Sequence, residues 1–335
     1  MASTTTRLAA SPRVELQHDT FFNWHSRPPV PDSVPFPQLY TFFLSPWTPL
    51  AFSIIYFITS HWLNNRQDGK NRIKGKGWDM AVLAHNIFLA AYSCWTFVST
   101  APILFGAFYR GFVADGWAGL LHAFCDSSFT LWSTDFARQS YLFYLSKFYE
   151  VVDTAIILAK GKKVQSLQSY HHAGAMLTMF AGVRTSATPI WLFVVFNSFI
   201  HSIMYCYYAM KSLKLPFPQV LKKNITRMQI TQFLVGGSLA ASYLFIRLPD
   251  DLNETLTTAQ LETRAFAAQL EAAARGQYAS TAASARAGTQ CLVTGAQRAA
   301  VWLNVLYLVP LTFLFARFFF KSYQKAVKSK SVKAQ

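Results

Sequence analysis

Seven apolar stretches, at roughly 45–64, 79–105, 139–160, 168–184, 187–210, 228–247 and 298–320, divide this chain. Each approaches the ~20 residues that a helix needs to cross hydrocarbon. Together they restrict the chain to an all-α polytopic membrane protein with seven transmembrane helices. Composition agrees: of 335 residues 52% are hydrophobic and only 14% charged, with 30 Phe and 15 Tyr, far from the average soluble domain. One membrane domain is expected over 45–320, behind a polar, proline-punctuated tail at 1–44 and ahead of a basic tail at 321–335. The first tail has no apolar core of the kind a cleaved signal peptide requires.

The net charge of +16 is patterned. The loops after the first, third, fifth and seventh stretches read NNRQDGKNRIKGKG, KGKK, KSLKLPFPQVLKKN and KSYQKAVKSKSVK, whereas the intervening loops are mixed, short or acidic. The positive-inside rule then predicts a lumenal N-terminus and a cytosolic C-terminus. It also accounts for the basic residues without nucleic acid, for which no binding motif is present. The Ala-rich loop at about 249–297 falls on the lumenal side and reads as an insertion. It carries an Asn-Glu-Thr sequon at Asn253, a glycosylation candidate. Cys125 and Cys291 fall in two loops on that same side, where oxidising conditions make them a disulfide candidate.

Ionisable residues interrupt the apolar pattern in a few places. An ionisable side chain at a helix centre in the bilayer costs about 2.5–3.5 kcal/mol on insertion scales and by default marks a function. In KFYEVVDT (147–154), Lys147, Glu150 and Thr154 share one helical stripe with Asp153 at its edge. In QSYHH (168–172), Gln168, His171 and His172 share a face. In NSFIHSIMYCYY (197–208), Asn197, His201, Tyr205 and Tyr208 form a continuous stripe bordered by Met204. TRMQITQ (226–232) adds Thr226, Gln229 and Gln232. A structural ion-pair network would explain the first segment and an aromatic packing stripe the third. Neither explains two adjacent histidines, whose imidazoles can be base, nucleophile or metal ligand.

Metal chemistry of the histidine-box kind is not expected. The chain has eight histidines. His18 and His25 lie in the tail, His61 lies near a helix end, His85 and His122 are isolated, and no HxxxH exists. A seven-helix receptor does not need a histidine pair beside Lys, Glu and Asp. A retinal protein would want a lysine in the last stretch, which has none. A transporter is the non-enzyme alternative, because midplane ionisable residues also mark transport paths.

In order and spacing, KFYEVVDT, QSYHH, HSIMYCYY and TRMQITQ resemble the KxxExxDT, HxxHH, HxxMYxYY and TxxQxxQ motifs of the ELO family of very-long-chain fatty-acid elongases, the 3-oxoacyl-CoA synthases. The resemblance covers roughly residues 40–325. One position departs, Gln168 standing where the family has the first His of HxxHH. The glutamine resembles a variant in a branch of the family, so it does not imply inactivity. It argues that this position is not the indispensable nucleophile.

The resemblance implies that spans two to seven form a helical barrel around an acyl tunnel in the endoplasmic reticulum membrane. It implies condensation of long-chain acyl-CoA with malonyl-CoA to 3-oxoacyl-CoA, CO2 and CoA, with no cofactor beyond these substrates. A ketoreductase, dehydratase and enoyl reductase would complete the cycle, and a homodimer is compatible with the family. Mapped onto these residues, His171 would attack the thioester, and His201 would assist orientation or proton transfer. His172, Asn197 and Tyr205 would hold the enolate oxygen. Lys147, Glu150 and Asp153 would fix the imidazoles or neutralise the malonyl carboxylate. Gln168, Met204, Tyr208, Gln229 and Gln232 would line the substrate path, with Lys163 and Arg227 at the cytosolic mouth toward the phosphates of CoA. A variant chemistry without a covalent step, in which histidine acts only as general base, fits the same residues.

Overall fold

The computed structural model describes residues 30, 34–69, 72–127, 131–132, 135–248 and 290–332. Asn253 and most of the 249–297 loop lie outside the described residues. The apolar stretches become helices: α1 (Pro37–Phe43), α2 (Trp47–Asn65), α3 (Lys76–Cys125), α4 (Asp135–Tyr149), α5 (Val152–Ala159), α6 (Ser166–Arg184), α7 (Ile190–Ser212), α8 (Gln219–Ser242) and α9 (Gly295–Val332). Among the described residues there is no strand; a single antiparallel bridge joins Arg247 to Gln290.

Three helices are long and apolar enough to cross a membrane: α3, α7 and the Gly295–Ser322 portion of α9. The bent pair α1 and α2, turned by 62°, raises the number to four at most. This is fewer than the seven expected. Three of the helices that bear the motifs fall outside this number: α4, with Lys147, is 15 residues long, and Gln168, His171 and His172 on α6 and Thr226, Gln229 and Gln232 on α8 dilute the hydropathy of those two.

Helix packing closes a ring. Helix α3 packs on α7, α7 on α8, α8 on α9, α9 on α6, α6 on α4, and α4 on α3, while α2 joins at α6 and α5. His171, His172, His201, Tyr205, Tyr208, Tyr307 and Lys147, described below, lie on members of this ring.

Two local departures from the expected spans have physical causes. The stretch expected to end near residue 105 continues to Cys125, but it reverses at Asp115 (φ −151°, ψ 35°) and Gly116 (φ 54°, ψ −134°). A left-handed φ is readily adopted only by glycine. Gly111 and Gly119 would stand ~12 Å apart on a straight helix. Instead, a Cβ placed on Gly111 would lie 2.5 Å from the Gly119 carbonyl oxygen, and one on Gly119 would overlap the Gly111 carbonyl. The two limbs therefore touch backbone to backbone. Gly119→Ala is expected to force them apart at a cost of about 1–3 kcal/mol, as overpacking does. Thermal unfolding of the purified variant checks this; an unchanged midpoint would show that the limbs separate freely.

The second departure is the break at Glu150–Val151, where one continuous span was expected. Helix α4 ends at Tyr149 and α5 begins at Val152. The amide of Asp153 donates to the carbonyl of Glu150 at 3.1 Å, an i→i+3 bond that tightens the turn. The predicted single stripe of Lys147, Glu150 and Thr154 is thereby divided.

Each end of the ring is pinned by polar contacts. At one end Cys125 is bonded to Cys291, with Cα atoms 4.9 Å apart. Nearby, Trp191 Nε1 donates to Tyr243 Oη at 2.8 Å, and Tyr243 donates to the Phe124 carbonyl at 2.7 Å. Helix α9 starts with a capping box: the Gln297 amide donates to Thr294 Oγ1, and Gln297 Oε1 accepts from the Thr294 amide. At the opposite end Asn64 forms a two-way clamp on the Val164 backbone, at 2.7 and 3.2 Å, and the Ile73 amide donates to the Ala159 carbonyl.

Candidate active site

The break after α4 separates two polar sets. In the first, Lys147 and Glu150 are an i, i+3 pair, 3% exposed each. Lys147 Nζ donates to Glu150 Oε1 at 2.6 Å and to Asn197 Oδ1 on α7 at 3.2 Å, and lies 4.0 Å from the centre of the Phe143 ring. Ser146 Oγ donates to the same Glu150 oxygen at 3.2 Å. Two opposite charges so placed in low dielectric compensate each other, and the cost of desolvating either alone is what locks them together. Glu150 Oε2 is buried without a hydrogen-bond partner among the described residues.

The second set centres on Asp153, at the start of α5. His85 Nε2 on α3 is 2.9 Å from Asp153 Oδ1, and Tyr205 on α7 donates to Asp153 Oδ2 at 2.6 Å. Because an ionised carboxylate only accepts, Nε2 is the donor in the first bond. His85 Nδ1 lies 3.2 Å from Tyr149 Oη. His85, read from the sequence as isolated, thus belongs to the site. It stands in an apolar stretch of α3 far from the other motifs in sequence, and no spacing pattern connects them. Thr154 leaves both sets and pairs with Tyr56 of α2 at 2.8 Å.

Helix α6 brings its histidines to the same region. Gln168 lies one turn before His172, with amide Nε2 and imidazole Nε2 2.8 Å apart. The glutamine therefore holds the second imidazole, while His172 Nδ1 is buried without a partner among the described residues. The His171 ring centroid lies 5.3 Å from that of His172 and 6.5 Å from that of His201 on α7, in edge contact with the latter. His201 contacts Tyr205 edge-on at 5.6 Å, and Tyr205 contacts Tyr208 at 5.9 Å, so the stripe along α7 becomes a file of rings. Tyr307 of α9, a lone phenol in an apolar run, hydrogen-bonds to His171 Nδ1 at 3.1 Å. No sequence pattern singles it out.

The remaining candidates lie farther out. Gln229 on α8 donates to Met204 Sδ at 3.4 Å, and Gln232 is buried on α8. Lys163 is exposed in the α5–α6 loop. Arg227 is exposed on α8, with its guanidinium near Asn224 Oδ1 and 6.0 Å from the Phe319 ring. Neither cation joins the buried sets. Among the described residues, no three His, Cys, Asp or Glu side chains gather as a metal-binding group.

The model of the ELO family, described as GNS1/SUR4, matches residues 41–331. The chain belongs to the ELO family. Among ELO relatives, fatty acid elongase sre1 of Dictyostelium discoideum is 30% identical over 200 residues, which cover 59% of this chain and 70% of that protein. Fatty acid elongase A of the same organism is 28% identical over 256 residues, 74% of this chain and 87% of that protein. Very long chain fatty acid elongase 3 of Mus musculus is 37% identical over 97 residues, 29% of this chain and 36% of that protein. No solved structure matches. The ELO match takes in every helix from α2 through α8 and nearly all of α9, and with them the whole of the site.

Proposed function

We propose that this protein is a membrane-bound 3-oxoacyl-CoA synthase, an acyltransferase that condenses long-chain acyl-CoA with malonyl-CoA in fatty-acid elongation. The observation that carries the reading is the meeting of His171 and His201 across α6 and α7, beside the buried Lys147–Glu150 pair. Membership of a family whose relatives are named fatty acid elongases supports it. The ring of six helices is then a barrel of spans two to seven. It lies in the endoplasmic reticulum membrane, with the N-terminus lumenal and the C-terminus cytosolic. The acyl chain lies between the helices, gaining about 0.8 kcal/mol per methylene removed from water.

His171 attacks the thioester carbonyl through a ring nitrogen. The C–S bond breaks, CoA leaves as thiolate, and a cationic acyl-imidazolium remains. Malonyl-CoA then loses CO2, and the resulting carbanion attacks the acyl carbon. The C–N bond breaks and neutral His171 returns, while the CoA thiolate takes a proton from solvent. His201, His172 and Asn197 surround the place where the enolate charge develops, and donors held in a dry site are effective there; Tyr205, expected from the sequence to join them, gives its one proton to Asp153 Oδ2. Lys147 faces the malonyl carboxylate, and Asp153, held by His85 and Tyr205, orients the α7 rings. Malonyl-CoA and acyl-CoA are the only small molecules required, and a ketoreductase, dehydratase and enoyl reductase act on the product.

We infer that the acyl path ends toward the small residues Gly182, Ala187, Ala240 and Ala300, which line a small cavity with Asn304 where α6, α7, α8 and α9 meet. Gly182 lies three turns beyond His171 on α6, ~16 Å at 1.5 Å per residue. Ala300→Leu is expected to shorten the longest product by two carbons or more without lowering turnover of shorter substrates. Unchanged product lengths would put the end of the path elsewhere.

The test of the function is malonyl-CoA-dependent condensation by purified protein across a panel of saturated and unsaturated long-chain acyl-CoAs. A 3-oxoacyl-CoA two carbons longer than the substrate is expected. Folded protein that condenses none of them would leave a transporter as the better reading.

A further inference from the structure

Tyr307 makes two hydrogen bonds to one residue of the partner helix. Its hydroxyl donates to the backbone carbonyl oxygen of His171 at 2.9 Å and lies 3.1 Å from His171 Nδ1. A phenol has one proton to donate, and a carbonyl oxygen can only accept. The proton of Tyr307 is therefore committed to the carbonyl, and the remaining bond is made by Nδ1–H donating to the phenolic oxygen. A neutral imidazole carries one proton. If it sits on Nδ1, Nε2 bears the lone pair.

The phenol is held in that position from several sides. The Tyr170 ring stacks on it with centroids 5.4 Å apart, and the Tyr170 hydroxyl donates to the Tyr307 carbonyl at 3.2 Å. One turn past His171, a Cβ on Gly174 would overlap the Tyr307 ring. The absence of a side chain at residue 174 lets α9 bring the phenol against the α6 backbone. Stack, carbonyl bond and glycine shelf restrict the ring to the position in which it meets both atoms of His171.

We propose that Tyr307 is a positioning residue that fixes His171 as the Nδ1–H tautomer and so makes Nε2 the nucleophilic atom, with Gly174 providing the space it requires. The inference rests on the covalent reading given above and assigns the attacking atom within it. The hydrogen bond a ring nitrogen makes decides which tautomer is present. Partners that fix a histidine in this way are commonly worth 10–100-fold in function, at metal sites where they have been measured. In the acyl-imidazolium, the Nδ1–H bond to Tyr307 faces the positive ring with an oxygen lone pair.

The experiment uses the full chain. Tyr307→Phe retains the ring, its stack on Tyr170 and its fit against Gly174, and removes only the hydroxyl. Long-chain acyl-CoA is added without malonyl-CoA, and CoA release and the mass of the His171 peptide are followed in a single turnover. The variant is expected to acylate about 10–100-fold more slowly than wild type, with the KM for acyl-CoA changed less than about two-fold and the drop confined to kcat. A purely structural role would instead lower the unfolding midpoint or raise KM. Acylation of the variant at the wild-type rate would overturn the inference while leaving the covalent route intact. If wild-type protein turns over without ever carrying acyl on His171, the covalent route falls and the inference falls with it. A second measurement does not depend on Tyr307→Phe: 15N spectra of histidine-labelled wild-type protein, assigned by subtraction of His171→Gln, should show the His171 proton on Nδ1. A proton on Nε2 would overturn the assignment.

Discussion

His171→Ala is expected to abolish condensation, lowering kcat by at least ~10⁴-fold, while the protein remains folded. Removing the nucleophile of a catalytic unit costs about as much as removing the whole unit. In the proposed mechanism His171 takes that role, and its ring lies between α7, through His201, and α9, through Tyr307. His201→Ala should cost less, on the order of 10²–10⁴-fold, the range for an assisting acid or base. The two single variants and the double variant separate the roles. If His171 is the nucleophile, adding His201→Ala to His171→Ala changes little. Activity of His171→Ala within ten-fold of wild type would show that another residue carries the acyl group or that none does. Purified variants assayed for 3-oxoacyl-CoA against malonyl-CoA decide it.

The second large effect is on stability and concerns Lys147 and Glu150. Both side chains are 4% exposed, and their charged atoms are 2.6 Å apart. Breaking such a pair by removing one partner leaves an uncompensated buried charge and costs about 3–5 kcal/mol. Lys147→Met and Glu150→Leu are each expected to destabilise by that amount. The double variant Lys147→Met/Glu150→Leu should recover most of the loss, because an apolar pair of similar volume is often as stable as a buried ion pair. It should nevertheless be inactive, since Asn197 loses its Lys147 donor and the buried, unpartnered carboxylate oxygen of Glu150 is removed. Thermal unfolding and condensation are measured on the same four proteins. A double variant that is both stable and active would reduce the pair to a helix clamp. Single variants as stable as wild type would mean that water reaches the pair.

What could be read from the sequence follows from periodicity. The stripe from Asn197 to Tyr208 was legible because α7 is an uninterrupted helix, and residues at helical spacing on such a helix share a face. The structure sets those rings in successive edge contact. The proximity of Lys147 to Glu150 was legible for the same reason, being contained within one turn. Reading further along that segment fails at Glu150–Val151. The tight turn there sends Thr154 to Tyr56 and Asp153 to His85 and Tyr205, and neither residue's composition nor its spacing announces a break.

The reversal at Asp115–Gly116 was missed for a related reason. The limbs on both sides are apolar and helical, and only the pair Gly111 and Gly119, which touch across the bend, distinguishes a hairpin from a long helix. Tertiary partners are a different matter. His85 and Tyr307 are lone polar residues in apolar helices, and a lone residue has no period. They enter the site because α3 packs on α4 and α7, and α9 packs on α6. The Gln168 departure is also resolved only in three dimensions, where its amide reaches the imidazole of His172 one turn on. Apolar length in the sequence suggests seven spans, whereas length and composition of the described helices mark three or four, because α6 and α8 carry polar motif residues and α4 is broken from α5.

The most direct measurement is a chase experiment on the acyl group itself. Wild-type protein is loaded with a labelled long-chain acyl-CoA, excess substrate is removed, and the acylated residue is identified by mass spectrometry before and after malonyl-CoA is added. Acyl is expected on His171, with complete transfer to 3-oxoacyl-CoA within one turnover time when malonyl-CoA arrives. Acyl on another residue, or label that persists on His171 while product forms from unlabelled acyl-CoA, would contradict it.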